Sequence, residues 1–156
     1  MGVHAHATAS ASHGETIMTK TFHKLFYHAV WSTHLREPSI TPDIQKVLYP
    51  FLENKAKRFG CNIRSIGGIE DHIHLAIEIL PTESISDIIG KLKGSSSHFL
   101  NKEIRLTETF AWQEGFGVLT FAERDLPKIL DYINRQQEHH KNTKLNALLE
   151  GMGEEK

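Results

Sequence analysis

Two histidines set two positions apart, and a tyrosine followed four residues later by a glutamine, are the side chains of this sequence best suited to chemistry. The histidines lie in Asp71-His72-Ile73-His74-Leu75-Ala76-Ile77-Glu78-Ile79. Side chains on a strand alternate between faces, so Ile73, Leu75, Ile77 and Ile79 share one face and His72, His74, Ala76 and Glu78 the other. Two neutral imidazoles on a rigid backbone suit a divalent metal, whose ligands must converge on one point. A solvated strand face gives the same alternation, so the pair alone does not decide. In the last part of the chain Leu126, Ile129, Leu130 and Ile133 mark an apolar helical stripe, with Tyr132 and Gln136 one turn apart on its flank. Alone, such a pair is ordinary helix surface. Beside a two-histidine metal site, Tyr132 becomes a nucleophile and Gln136 a third ligand. Glu78 shares the histidine face, as an extra ligand, as a group behind one, or as an exposed strand carboxylate. His139 and His140 follow Gln136 by about a turn. His139 is a candidate for proton transfer or for answering the helix dipole.

The elements that must position these groups can be read in order. Leu25 to Thr33 is rich in aromatic and β-branched residues and reads as a first strand. Thr41 caps a helix with Pro42 at its first position, and Ile44, Val47, Leu48, Phe51, Leu52 and Ala56 recur at helical spacing up to Gly60. Cys61 to Ile69 and His72 to Leu80 read as a hairpin, and Cys61 as a core residue. Ser84 to Leu100 reads as a second helix with Ile85, Ile88, Ile89, Leu92 and Phe99 inward. An extended segment follows from Trp112 to Phe121, then a last helix from about Glu123 to Lys141. This βαββαβ order plus a C-terminal catalytic helix is that of an α+β ferredoxin-like sandwich, a four-stranded antiparallel sheet with two helices across one face and the other face open. The histidines should project onto that open face.

Composition sets the outer bounds. A chain of 156 residues holds one domain of ordinary size, and 39% hydrophobic with 24% charged residues is a soluble globular composition. No apolar run approaches the roughly 18 residues a membrane span needs. One cysteine cannot form an internal disulfide, which points to a reducing cytoplasm. Residues 1–20 are small, polar and without apolar periodicity, and read as a leader or tag outside the fold. Their His4-Ala5-His6 triplet mimics the ligand pair without a scaffold to hold it. The functional domain is placed at 21–144 and a flexible tail at 145–156. Net charge is −1, and residues 18–144 hold 17 Lys and Arg against 15 Asp and Glu, a modest +2, because Glu15, Glu150, Glu154, Glu155 and Lys156 lie outside. Lys91, Lys93, Lys102 and Arg105 are the candidates for phosphate contacts, with a solvated helix face as the alternative.

Several motifs in one order carry a resemblance: FYHAVWST in the first strand, DHIHLAIEI in the third, IIGKLKGSSSHFLNK in the second helix, FAWQEGFGVLTF, and YINRQQEHH in the last helix. Together they are similar to the single-tyrosine transposases of the smallest bacterial insertion sequences, in the HUH endonuclease superfamily, over most of the chain. The resemblance implies that His72 and His74 bind a metal, that Gln136 is the third ligand, and that Tyr132 attacks single-stranded DNA to form a 5′-phosphotyrosine. It further implies Mg²⁺ or Mn²⁺ as cofactor, DNA hairpins at the element ends as the recognised feature, and a homodimer in the bacterial or archaeal cytoplasm. Such a dimer can use the tyrosine helix in cis or in trans, with Gly115 and Gly117 as a hinge, a bulge or a turn. The segment THLRE after the first strand is less basic than the resemblance leads one to expect. Three other readings remain at this level. They are a domesticated nuclease of the same family, a metal-dependent phosphodiesterase of RNA or small molecules, and a non-catalytic module that stacks single-stranded bases on Phe26, Trp31 or Trp112.

Overall fold

The computed structural model describes residues 21–136 and 138. The leader, His139, His140 and the tail lie outside the described residues. The order is β1 (Phe26–Ser32), α1 (Pro42–Arg58), β2 (Asn62–Ile69), β3 (His72–Glu78), α2 (Ile85–His98), β4 (Gly117–Phe121) and α3 (Leu126–Asn134). The strands form one antiparallel sheet in the order β2-β3-β1-β4, the α+β ferredoxin-like arrangement that the element order predicts.

Local chemistry explains the helix starts. Thr41 Oγ1 accepts from Ile44 N and Pro42 occupies the first turn, where its missing N–H costs nothing. Ser84 caps α2 by accepting from Asp87 N. Both helices press an apolar stripe onto one sheet face: Leu48, Leu52 and Ala56 from α1, and Ile88, Ile89 and Leu92 from α2, meet Ala29, Trp31, Ile73, Leu75 and Ile77. Cys61 is buried in the same cluster.

Three expectations need correction. The extended segment from Trp112 begins as regular strand only at Gly117, and Trp112 makes an isolated bridge to Thr33. Gly115, at φ +79°, turns the chain between them. The last helix opens with a 3-10 turn over Glu123–Asp125 before α3 begins at Leu126, with Pro127 in its first turn. Finally, the second sheet face is not open. With α1 and α2 on the first face, the stripe of α3 buries against the other, so Ile129 and Ile133 pack on Ala76. The predicted flank of α3 is therefore buried as well.

Candidate active site

The face under α3 is built from alternate residues of three strands. The register places Ser32 opposite His72, Val30 opposite His74 and His28 opposite Ala76, so all of these share the α3 side. Gly67 pairs with His74 from the other flank. It gives α3 its depth: a Cβ at Gly67 would stand 2.3 Å from the carbonyl oxygen of Ile133, so only glycine admits the helix this closely. Ser65 Oγ donates to Asn134 Oδ1 at 2.7 Å along the same seam.

That seating brings Tyr132 against the histidines of its own chain and buries Gln136 one turn further along α3. The Tyr132 ring stands edge-on to His74, with centroids 5.8 Å apart, and to His28 at 6.0 Å. His72 and His74 lie 5.0 Å apart, centroid to centroid. Exposure is 8% for Tyr132, 1% for Gln136, 1% for His72 and 0% for His74. Gln136 Nε2 donates to the Tyr132 carbonyl at 3.1 Å, while its Oε1 is buried without a hydrogen-bond partner among the described residues. A buried amide oxygen in that condition costs stability unless a donor or a cation meets it.

Four groups that the sequence reading did not single out complete the site. Asp71 Oδ1 lies 2.6 Å from His72 Nδ1, so the carboxylate accepts from that nitrogen and Nε2 becomes the one able to present a lone pair. Burial by itself would raise the Asp71 carboxyl. The hydrogen bond and charge of His72 and the guanidinium of Arg36 outweigh it, and the net effect lowers the carboxyl below its ordinary range. Arg36 Nε reaches Asp71 Oδ2 at 3.3 Å from a turn in which Leu35 and Arg36 both have φ 52°. Non-glycine residues adopt such values only where the surroundings impose them. Here Leu35 N donates to Gln113 Oε1 and His34 N to the Ala111 carbonyl. His28 Nε2 lies 2.9 Å from His74 Nδ1. A polar ring two positions from Phe26 and from Val30 on an otherwise apolar face was the available signal for His28, and adjacency to His72 the signal for Asp71. Gly67 carried no sequence signal, because its need comes from a helix more than sixty residues away.

The other candidates fall elsewhere. Glu78 is held by Arg64 at 3.2 Å, at the far end of β3 from His72, and has no place beside the histidines. Lys91 and Lys93 belong to α2, Lys102 to the π-helical turn over Phe99–Ile104 that follows it, and Arg105 caps that turn, in the layer across the sheet from Tyr132. Lys93 donates to the Gln113 and Gly115 carbonyls, both at 2.6 Å, and so fixes the turn before β4. Gly117 sits in the β1–β4 ladder opposite Val30. Phe26 and Trp31 are 1% and 0% exposed, so neither presents a platform for bases, and the half-buried Trp112 stands edge-on to Trp31 and donates from Nε1 to Ser96 Oγ.

Among the described residues no three His, Cys, Asp or Glu side chains converge as metal ligands. The buried, unpaired oxygen of Gln136 is a donor of another kind, and its chemistry suits a divalent cation. Two imidazoles and an amide oxygen form the mixed donor set that Mn²⁺ tolerates and Mg²⁺ can occupy.

Comparison with known proteins supplies the family. The chain belongs to the IS200-like transposase family, whose model it matches over residues 21–136. It is 24% identical over 121 residues to the ISDra2 transposase TnpA of Deinococcus radiodurans, covering 74% of this chain and 86% of that one. It is 28% identical over 120 residues to the transposase for insertion sequence element IS200 of Salmonella typhimurium, covering 74% and 78%. A crystal structure from Deinococcus radiodurans R1, of a protein assigned as a transposase, superposes with a TM-score of 0.58 at 26% identity, covering 75% of this chain and 94% of that one. A REP-associated tyrosine transposase bound to a REP hairpin shares the fold, with a TM-score of 0.55 at 18% identity, covering 78% and 70%. No helix among the described residues is long and apolar enough to cross a membrane.

Proposed function

We propose that this protein is a metal-dependent tyrosine transposase that cleaves and rejoins single-stranded DNA through a 5′-phosphotyrosine at Tyr132, and that it recognises DNA hairpins at element ends. One observation carries the reading: Tyr132 stands edge-on over His74, with Gln136 buried one turn further along the same helix. His72, His74 and Gln136 are the residues to hold Mg²⁺ or Mn²⁺. Bound there, the ion would neutralise a non-bridging oxygen of a phosphodiester that otherwise repels a nucleophile. The packing of α3 restricts the Tyr132 ring to the approach over the histidines, so its oxygen is oriented before DNA arrives. Its oxygen bonds to phosphorus as the phosphorus to 3′-oxygen bond breaks. The phenol gives up its proton and the departing oxygen leaves as a 3′-hydroxyl after gaining one. The new phosphotyrosine ester keeps the energy of the broken link, so a second 3′-hydroxyl can reverse the step without ATP.

The packing of α3 on its own sheet favours use of Tyr132 in cis, whether or not a homodimer forms through the outer strands β2 and β4. The hairpin-bound relative of the same fold supports hairpin recognition. Lys91, Lys102 and Arg105, across the sheet from Tyr132, are assigned to flanking phosphates. The experiment is incubation with Mn²⁺ and single-stranded DNAs carrying candidate hairpin ends, labelled at the 5′ or the 3′ end, followed by a denaturing gel. Protein should retain label from the 3′ side of the cut, and Tyr132→Phe should abolish it. Cleavage that persists in Tyr132→Phe would make water the nucleophile and sink the proposal.

A further inference from the structure

Resting on the metal-site reading above, we infer that His28 is a positioning residue that fixes which nitrogen of His74 faces the metal. His28 is 2% exposed on the inner strand β1, a diagonal neighbour of His74 across the β1–β3 ladder. The two rings stack with centroids 5.1 Å apart and an interplanar angle of 22°, and His28 Nε2 lies 2.9 Å from His74 Nδ1.

Two imidazole nitrogens at that distance share one proton, since two lone pairs repel and two N–H groups collide. A histidine that ligates through Nε2 must keep a lone pair there, so its neutral ring carries the proton on Nδ1. His74 Nδ1–H therefore donates and His28 Nε2 accepts. The same arrangement holds at His72, where the carboxylate of Asp71 can only accept from Nδ1. Both ligand rings are thus backed by an acceptor behind Nδ1, a carboxylate in one case and an imidazole in the other. The choice of acceptor has an electrostatic consequence. Asp71 carries a charge that Arg36 offsets, with Nε to Oδ2 at 3.3 Å. A second carboxylate in place of His28, beneath Tyr132, would add uncompensated negative charge where a phosphodiester must approach. An imidazole orients its neighbour without that repulsion.

Two measurements on the full chain test this. The first is the tautomer of His74 in the metal-free protein, read by long-range proton–nitrogen NMR at about pH 8, above the ordinary titration range of an imidazole. The second is the affinity for Mn²⁺, read by electron paramagnetic resonance. In the wild type His74 should carry its proton on Nδ1. His28→Phe removes the acceptor and should weaken Mn²⁺ binding by about 10- to 100-fold, with His74 no longer confined to that tautomer. His28→Gln places an amide oxygen near the position of Nε2 and should recover most of the affinity and the wild-type tautomer. A folded His28→Phe that binds Mn²⁺ within about twofold of wild type, with His74 unchanged, overturns the inference. So does a wild-type His74 protonated on Nε2, a result that requires no variant to fold. Failure of the wild type to bind Mn²⁺ would overturn the metal-site reading instead, and the tautomer measurement, which uses no metal, keeps the two failures apart.

Discussion

Gly67→Ala is the sharpest test of how the nucleophile is seated. The added methyl would lie 2.3 Å from the Ile133 carbonyl oxygen, whereas ordinary van der Waals contact begins at 3.4 Å. The obstacle is backbone on both sides, so no rotamer change relieves it, and α3 must retreat by roughly 1 Å. Overpacking of this kind costs about 1–3 kcal/mol, and for a chain of this size each kcal/mol lowers the melting temperature by roughly 2–4 °C. A fall of about 2–12 °C is expected by circular dichroism. The chemical effect should exceed the thermal one. Moving Tyr132 by about 1 Å from the histidines should slow single-turnover adduct formation on the order of 100-fold, at a temperature where the variant is still folded. Gly94→Ala is the matched control, since a Cβ there meets nothing within 4 Å and replaces glycine inside α2. It should stabilise by about 0.5–1 kcal/mol and leave cleavage unchanged. If Gly67→Ala melts and cleaves like wild type, the close seating of α3 described here is wrong.

Two further outcomes follow from polar groups that are partly buried. Burial raises the Tyr49 phenol to about 12, and its hydroxyl has no hydrogen-bond partner among the described residues. Because the folded value lies above the unfolded one, stability should be lost as pH rises from about 10 to about 12, by roughly 2 kcal/mol. Denaturant titrations of Tyr49→Phe should show a flatter alkaline limb and no loss of stability at pH 7. Lys93→Met removes both hydrogen bonds to the turn at Gln113 and Gly115. It should destabilise by about 2 kcal/mol in urea, with no change in the salt dependence of DNA binding, because the ammonium is spent on carbonyls and not on phosphates.

Much of this was legible before the structure. Alternation placed His72 and His74 on one face because period two is a property of the strand itself, and the i to i+4 spacing aligned Tyr132 with Gln136 for the same local reason. Thr41 caps α1, as read, because its side chain reaches the next free amide. What the sequence hid was tertiary. The stripe Leu126, Ile129 and Ile133 declares that α3 buries one side, but not against which surface. The second sheet face was therefore expected open, and is instead the floor on which Tyr132 and Gln136 are buried. His28 was hidden because a lone histidine in FYHAVWST gives no hint that a partner 46 residues later will stand 2.9 Å away. Lys93 read as a surface cation because only the fold brings the carbonyls of residues 113 and 115 to its ammonium.

The strand order has a kinetic consequence. β1 is synthesised first but lies inside the sheet, between β3 and β4. Its hydrogen-bonding edges must wait for partners that emerge some fifty and ninety-five residues later, as the pairings of Phe26 with Glu78 and of Phe26 with Phe121 make plain. Such non-local pairing slows folding and leaves an apolar strand exposed to other chains in the meantime. Neither half of the His28–His74 contact has meaning until β1 pairs with β3, and the tyrosine is delivered last of all. A ribosome that stalls between β3 and α3 would thus release a chain carrying the histidines but no nucleophile to cut with.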